Sequence, residues 1–186
     1  KRNFSMIEYF NRMAEDWVPL LSFQGSTLAE FEDWQAKASE KFSELLGDFP
    51  AAVDPEPEVI YSVEEPNGLI RERVIFDSEA HMSVPCVVLR PKDMKADGSH
   101  AAILCSHGHG AYGKEPVAGN RSTPDLAANI TQHRYNYAEL MALDGYLTLA
   151  PDLRVFGERA DGGNPYPGRD KCNVHFLRGA MWGVYT

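Results

Sequence analysis

The residues best suited to chemistry lie in the segment CSHGHGAYGK, residues 105–114, which contains two histidines and three glycines. Four apolar residues, 101–104, precede this segment and are expected to form a short buried strand. Ligands of α/β proteins bind beyond the carboxyl ends of such strands. These residue types at this place fit a metal site, a phosphate-binding loop or an oxyanion hole.

Two of these interpretations have little support in the sequence. His107 and His109 are two residues apart, so they point to similar sides of an extended segment, but no carboxylate or cysteine cluster is spaced to complete a metal site. Lys114 is not followed by serine or threonine, as a P-loop lysine would be. We therefore predict that the segment binds neither a metal nor a phosphate, and that the protein needs no organic cofactor.

An oxyanion hole fits the segment better. Acyl transfer needs backbone N–H donors aimed at the oxygen that becomes negative in the tetrahedral intermediate. Glycines let a backbone turn and come close to a substrate, and the side chain of His107 can form a hydrogen bond that shapes the loop. The catalytic atoms expected here are therefore backbone N–H groups.

The composition is that of a globular protein and excludes some partners. The chain has 186 residues, of which 44% are hydrophobic and 24% charged. Its net charge of −9 argues against a nucleic acid or an anionic membrane as partner. Three widely spaced cysteines, Cys86, Cys105 and Cys172, favour reduced thiols and a cytoplasmic location.

The pattern of apolar residues predicts helices first and strands afterwards. Residues 4–50 read as two helical segments, the second beginning with a capping box of Thr27 and Glu30 and ending at Gly47. Residues 1–57 are therefore interpreted as a helical extension and a Pro-rich connector. Strands are predicted at 59–63, 69–78 and 84–91, which look like antiparallel strands at the edge of a sheet.

The second half of the chain predicts a parallel β-α-β unit. Residues 101–108 form a continuously apolar strand, expected to be buried on both faces, and 146–152 form the next strand. Between them lie a long loop and one helix over 133–145, with an apolar side expected to contain Tyr137, Leu140, Met141 and Leu143. The fold class is therefore α/β, with antiparallel edge strands followed by a parallel crossover.

The order VPCVVLRP, AAILCSHGHGAYGK and YAELMALDGYLTLAPDLRVFGER resembles the N-terminal half of an α/β-hydrolase, and most closely the acetyl xylan esterase and dienelactone hydrolase-like branch. The resemblance spans residues 58–186. It implies an acyl ester as small-molecule substrate and an oxyanion donor at the backbone of His109, with Gly110 as a weaker candidate. It also implies supporting or pocket-forming side chains after the second strand and beyond, namely Asp152, Arg154, Glu158, Arg159, Asp161 and His175.

The catalytic triad of that family is absent from these residues. No serine lies in a G-x-S-x-G elbow, and Ser106 is in the oxyanion strand. We expect 58–186 to be truncated before the elbow, the 186-residue chain to be inactive alone, and the remaining part to follow in a longer protein or a separate polypeptide. A prolyl-oligopeptidase-like peptidase, a non-catalytic interaction module using the aromatic N-terminal helices, and a homo-oligomer stay open as alternatives.

Overall fold

A computed structural model describes residues 2–160 and 171–182 of the chain. The chain divides into two compact units, Lys1–Asp48 and Phe49–Val184. Among the described residues, no helix has the length and apolar character needed to cross a membrane.

The first unit contains two helices, α1 (Met6–Asp16) and α2 (Leu28–Leu46). The predicted capping box is present: the Thr27 side chain accepts from the backbone N–H of Glu30, and the Glu30 carboxylate accepts from the backbone N–H of Thr27. Gly47 ends α2 with a φ of 81°, which favours glycine. The helical segment before the sheet is thus confirmed.

The second unit is built on a five-stranded mixed sheet. Its strands in chain order are β1 (Glu58–Glu64), β2 (Leu69–Glu79), β3 (Met82–Pro91), β4 (Ala102–Leu104) and β5 (Leu147–Pro151). The spatial order is β1-β2-β3-β5-β4, with β4 and β5 parallel and every other pair antiparallel. Antiparallel edge strands followed by a parallel crossover confirm the predicted α/β class.

The sequence predicted that the strand before the two histidines is buried on both faces, and this prediction is wrong. β4 lies at the edge of the described sheet and pairs only with β5 there, and the side chain of Leu104 is 64% exposed. A short apolar run reveals hydrophobicity but not the position of a strand within its sheet, which explains the error.

The crossover contains two helices instead of one. Helix α3 (Pro124–His133) occupies part of the predicted loop, and Arg134 in the left-handed conformation separates it from α4 (Tyr137–Leu143). The predicted apolar side of α4 is wrong in part: Tyr137 packs against the core, but Leu140, Met141 and Leu143 are exposed. The small residues Ala138 and Ala142 lie in the core instead. Small side chains permit close packing of a helix on a sheet, a preference that a count of large apolar residues misses.

The core lies between the sheet and the crossover. Its members come from β2, β3, β5, α4 and the residues that follow the histidines: Leu69, Val87, Leu89, Cys105, Val117, Ala118, Ala138, Ala142 and Ala150. A 3₁₀ turn, Gly157–Arg159, and helix α5 (Lys171–Trp182) follow β5. Two loops consequently begin at the carboxyl ends of the parallel strands β4 and β5.

Candidate active site

His107 joins the loops that follow β4 and β5. Its side chain is 6% exposed, Nδ1 lies 2.8 Å from the carbonyl oxygen of Gly108, and Nε2 accepts a 3.0 Å hydrogen bond from the backbone N–H of Leu153. These partners assign the neutral tautomer with its proton on Nδ1, since a carbonyl only accepts and an N–H only donates. Because both ring nitrogens bind backbone groups, the His107 side chain is engaged in holding the loops rather than free to ligate a metal.

His109 and Gly110 lie at the outer part of the same loop. The ring of His109 packs edge-on against Phe156, with 5.2 Å between ring centroids, and its Nε2 is 3.4 Å from Sγ of Cys172. The backbone N–H of Gly110 donates no hydrogen bond to any described residue. An unengaged N–H beside a strand end is what an incoming oxyanion requires.

Gly108 and Gly110 leave the space in front of the loop backbone empty. Gly108 and Gly110 have no positive φ, so any residue could adopt their backbone conformation. A Cβ at either position would meet nothing within 4 Å. These glycines therefore leave open space in front of the backbone, and neither adopts the left-handed conformation that requires glycine.

A buried ion pair ties the residues after the histidines to the end of β5. Lys114 and Asp152 are each 1% exposed, and Nζ of Lys114 lies 2.7 Å from Oδ2 of Asp152 and 2.6 Å from Oε1 of Glu158. Asp152 also accepts from the backbone N–H of Lys114 at 2.9 Å and from that of Glu158 at 3.0 Å. Asp152 and Glu158 thus connect the two loops through a lysine that sequence reasoning did not select.

The charges of this network stabilise one another against burial. Burial lowers the pKa of Lys114, but hydrogen bonds to Asp152 and Glu158 outweigh this effect and the pKa is raised. Burial raises the pKa of Glu158, but hydrogen bonds from Arg73 and Lys114 lower it by more than burial raises it, so the pKa is below its usual value. Arg73 lies on β2, which brings a third strand into the network.

Two glycines make the network sterically possible. Gly113 has a φ of 53° and Gly157 a φ of 54°, in the left-handed region that favours glycine. A Cβ added to either residue would collide with the carboxylate of Asp152. The real conformational requirement for glycine therefore lies beside Asp152 and not at Gly108 or Gly110.

The structure also addresses the phosphate interpretation. Residues 108–113 have the spacing Gly-x-Gly-x-x-Gly of dinucleotide-binding loops, in which a helix begins at the loop and receives the phosphates at its N-terminus. Here residues 111–119 form consecutive turns, and the next helix begins only at Pro124. The ammonium group of Lys114 is enclosed by carboxylates, so neither phosphate-binding feature is available.

The remaining predicted residues lie around this network or outside it. Arg154 forms an ion pair of 2.7 Å with Glu79 at the end of β2, so its side chain links the loop after β5 to that strand. Arg159 donates to the backbone carbonyl of Asp152, and burial followed by the nearby charge of Arg154 lowers its pKa. Asp161 lies outside the described residues. His175 lies on α5 and is half-buried.

A second ion pair lies within the crossover and joins the segment before α3 to α4. Arg121 binds Glu139 through two hydrogen bonds of 2.9 and 2.8 Å, and the side-chain amide of Asn136 donates to Glu139 at 2.7 Å. Tyr137 donates a hydrogen bond to the carbonyl oxygen of Ser106. Sequence reasoning missed Glu139 because it took α4 for a helix with a purely apolar inner face.

Two cavities flank the loop of His107–Gly110. One of about 40 Å³ lies against the aromatic residues Tyr112, Tyr135 and Tyr137 and the side chain of Asn129. The other, of about 420 Å³, is open to solvent and is lined by residues after β4, after β5 and in α5: His109, Gly110, Ala111, Val155, Phe156, Gly157, Ala160 and Cys172. Gly110 borders both cavities, so this residue lies beside space that a small ligand could occupy.

Solved structures with a similar fold exist. A candidate acetyl xylan esterase from Bacteroides fragilis NCTC 9343 matches with a TM-score of 0.75 at 24% identity, over 99% of this chain and 46% of that one. Two further solved structures overlap only in part. An acetyl xylan esterase from Paenibacillus sp. R4 has a TM-score of 0.38 at 20% identity, over 85% of this chain and 40% of that one. Acetyl xylan esterase 1 from Thermoanaerobacterium sp. JW/SL YS485 has a TM-score of 0.39 at 19% identity, over 75% of this chain and 42% of that one. No protein-family model and no curated protein sequence matches the chain.

The similarity to the Bacteroides fragilis structure is one of fold. The mixed sheet with its helices is an α/β architecture consistent with part of an α/β-hydrolase fold. The chain spans less than half the length of that protein.

Proposed function

We propose that the chain is part of a serine esterase that hydrolyses small acyl esters, such as those of acetylated carbohydrates. Two kinds of support are independent of each other. One is the fold shared with a candidate acetyl xylan esterase. The other, which carries the proposal, is the N–H of Gly110, which donates to none of the described residues and belongs to a residue that borders two cavities after β4.

In this proposal the chain contributes electrostatic stabilisation. The backbone N–H groups of His109 and Gly110 donate to the carbonyl oxygen as it becomes negative, which lowers the barrier because the donors are already oriented. His107 holds the loop through Gly108 and Leu153. The nucleophilic serine, its histidine base and the acid that orients the base are assigned to residues beyond 186.

The donors can be tested by removing one N–H at a time in the protein made from the complete reading frame. Gly110→Pro deletes the N–H, whereas Gly110→Ala keeps it and adds a Cβ in open space. We expect Gly110→Pro to lower kcat on an acetyl ester by roughly 100-fold, in the range measured for one oxyanion donor, and Gly110→Ala, which keeps the N–H, to lower kcat much less. His109→Pro and His109→Ala form the same comparison at the neighbouring donor, and circular dichroism verifies the fold of each variant.

A fluorophosphonate probe tests the location of the nucleophile. We expect it to label one serine beyond residue 186 in the longer protein and no serine in the 186-residue chain. Labelling of a serine within residues 1–186, or full activity in both proline variants, would contradict the proposal. A panel of acetyl esters and prolyl peptides separates an esterase from a peptidase.

A further inference from the structure

The smaller of the two cavities beside the loop contains an amide oxygen without a partner. Asn129 lies on α3 and lines this cavity of about 40 Å³. Its side-chain oxygen, Oδ1, is buried and accepts no hydrogen bond from any residue that the structure describes. Burying a polar atom in this way costs free energy, because the atom loses water and gains no partner. A buried acceptor of this kind indicates a donor that the described residues do not supply.

The other two asparagines of the crossover are engaged in holding it together. The side-chain oxygen of Asn120 accepts from the backbone N–H of Ser122 at 2.9 Å. The side-chain amide of Asn136 donates to Glu139 at 2.7 Å. The oxygen of Asn129 therefore differs from its counterparts in having no such structural role among the described residues.

The walls of the cavity favour a small uncharged group. Tyr112, Tyr135 and Tyr137 contribute to its lining, and no carboxylate, ammonium or guanidinium group does so among the described residues. A charged ligand would lose its hydration here without gaining an opposite charge. One water-sized group needs on the order of 10–15 Å³, so the cavity takes roughly three such groups. That is room for a hydroxymethyl arm but not for a whole sugar ring.

A hydroxyl group is the donor that fits both the acceptor and the space. It supplies the proton that Oδ1 of Asn129 needs, carries no charge and rotates to meet an acceptor. The terminal torsion of an asparagine side chain is broad, so the amide can turn its oxygen toward a group that enters the cavity. The carbon atom that carries the hydroxyl can pack against the tyrosine rings, which offer apolar surface.

The cavity lies beside the backbone that is proposed to stabilise the oxyanion. Gly108, His109 and Gly110 line it together with Asn129. An ester whose carbonyl oxygen lies at the N–H of Gly110 therefore has this cavity within a few bonds of its carbonyl carbon. An acetyl group carries no hydroxyl, so in an acetyl ester only the alcohol part can supply one.

From these observations we propose that the small cavity is a binding site for a hydroxyl group, with Asn129 as its hydrogen-bond acceptor. The identity of the ligand rests on the proposed esterase function: the hydroxyl belongs to the alcohol part of the substrate, close to the ester bond. The substrates are then acetyl esters of polyols that keep a neighbouring hydroxyl free. Asn129 acts as a specificity-determining residue, since it binds the substrate but takes no part in breaking the ester bond.

Two acetyl esters of similar size test this assignment in the protein made from the complete reading frame. Hydroxyethyl acetate and propyl acetate differ by a hydroxyl in place of a methyl group. We expect the ratio of their kcat/KM values, hydroxyethyl over propyl, to fall about fivefold in Asn129→Leu, as for the loss of one neutral hydrogen bond. Comparing ratios between proteins cancels the difference in reactivity between the esters. Gln132→Leu removes an exposed amide from the same helix and should leave the ratio unchanged.

Ethylene glycol tests the hydroxyl site without ester turnover. In protein labelled at its glycine nitrogens, the NMR signals of the Gly108 and Gly110 amides should shift saturably with the diol. Asn129→Leu should raise the Kd about fivefold, and Gln132→Leu should not change it. Circular dichroism verifies each fold, and Asn129→Ala decides in both assays where Asn129→Leu does not fold.

The two assays separate the hydroxyl site from the esterase function. Turnover of neither ester, together with diol binding that depends on Asn129, would contradict the esterase function and retain the site. An unchanged Kd in a folded Asn129 variant would overturn the site and leave the amide with an ordered water at most, whether or not the esters are hydrolysed. A raised Kd with an unchanged ester ratio would overturn the assignment of the hydroxyl to the alcohol part.

Discussion

Replacing Lys114 by methionine should destabilise the second unit more than any comparable surface change. Methionine keeps most of the side-chain volume but removes the ammonium group. Asp152 would retain its hydrogen bonds from the backbone N–H groups of Lys114 and Glu158, at 2.9 and 3.0 Å, and lose the Nζ contact at 2.7 Å. A carboxylate that is 1% exposed would then lack its compensating charge.

The expected cost follows from that burial. Breaking a buried ion pair by removing one partner costs about 3–5 kcal/mol, since the remaining charge stays desolvated. Lys92→Met is the matched control, because the Lys92–Glu64 pair has a similar distance of 3.0 Å but both side chains are 57% exposed. An exposed pair contributes about 0–1 kcal/mol.

Urea unfolding followed by far-UV circular dichroism measures both variants. With a slope of about 1–3 kcal/mol per molar urea, Lys114→Met should lower the midpoint by roughly 1–5 M, and Lys92→Met should lower it by a small fraction of that. Combining Lys114→Met with Asp152→Asn should cost less than the two single changes added together, because the double variant has no buried charge to compensate. Equal midpoints for Lys114→Met and Lys92→Met would refute the reasoning.

Two further predictions concern the surroundings of the site. In urea unfolding, Gly157→Ala should lower the free energy of unfolding by about 1–3 kcal/mol more than Gly98→Ala does. Both glycines have positive φ, but only at Gly157 would the added Cβ collide with Asp152. Equal losses of free energy in the two variants would contradict this prediction. Burial raises the pKa of Glu139, but the hydrogen bonds and the positive charge of Arg121 lower it by more, so the pKa of Glu139 is below its usual value. The stabilisation from this carboxylate is complete above the pKa of Glu139 in the unfolded chain and is lost as the pH falls through the lower pKa of the folded chain. The free energy of unfolding should therefore decline more steeply below about pH 4.5 in the unmodified chain than in Glu139→Gln. Parallel profiles of the two proteins from pH 6 to pH 3 would count against this prediction.

The sequence predicts the parts of the fold that depend on local pattern. The capping box at Thr27, the end of α2 at Gly47 and the β-branched runs of β2 and β3 all reflect preferences of residues close in the chain. The edge position of β4 depends on which strands pair with it, and that information is not local. The inner face of α4 was misjudged for the same reason, since Glu139 is acceptable inside only because Arg121 reaches it.

At the candidate site, the sequence identified the loop but not what holds it. His107 was selected for its place in the His-Gly segment and Asp152 through the family resemblance, and the two follow β4 and β5 in the structure. Lys114 was overlooked because a lysine in a polar-looking segment is normally exposed. The signal that could have found it is its position between Gly113 and the apolar residues 116–118, which mark the segment as buried.

The choice of ions rather than apolar side chains around the loops has a physical reason. The residues that follow β4 form turns and lack the hydrogen-bond ladder that fixes a strand or helix. Apolar packing is non-directional, whereas Asp152 accepts bonds from two different loops in defined directions and so fixes their relative orientation. In the proposed function, the Gly110 N–H needs that fixed orientation, because an oxyanion hole stabilises charge only when its dipoles do not have to reorganise. If this account holds, Lys114→Met should lower kcat of the longer protein while leaving KM nearly unchanged, since the donors act on the transition state. An increase in KM alone would assign the network to substrate binding instead.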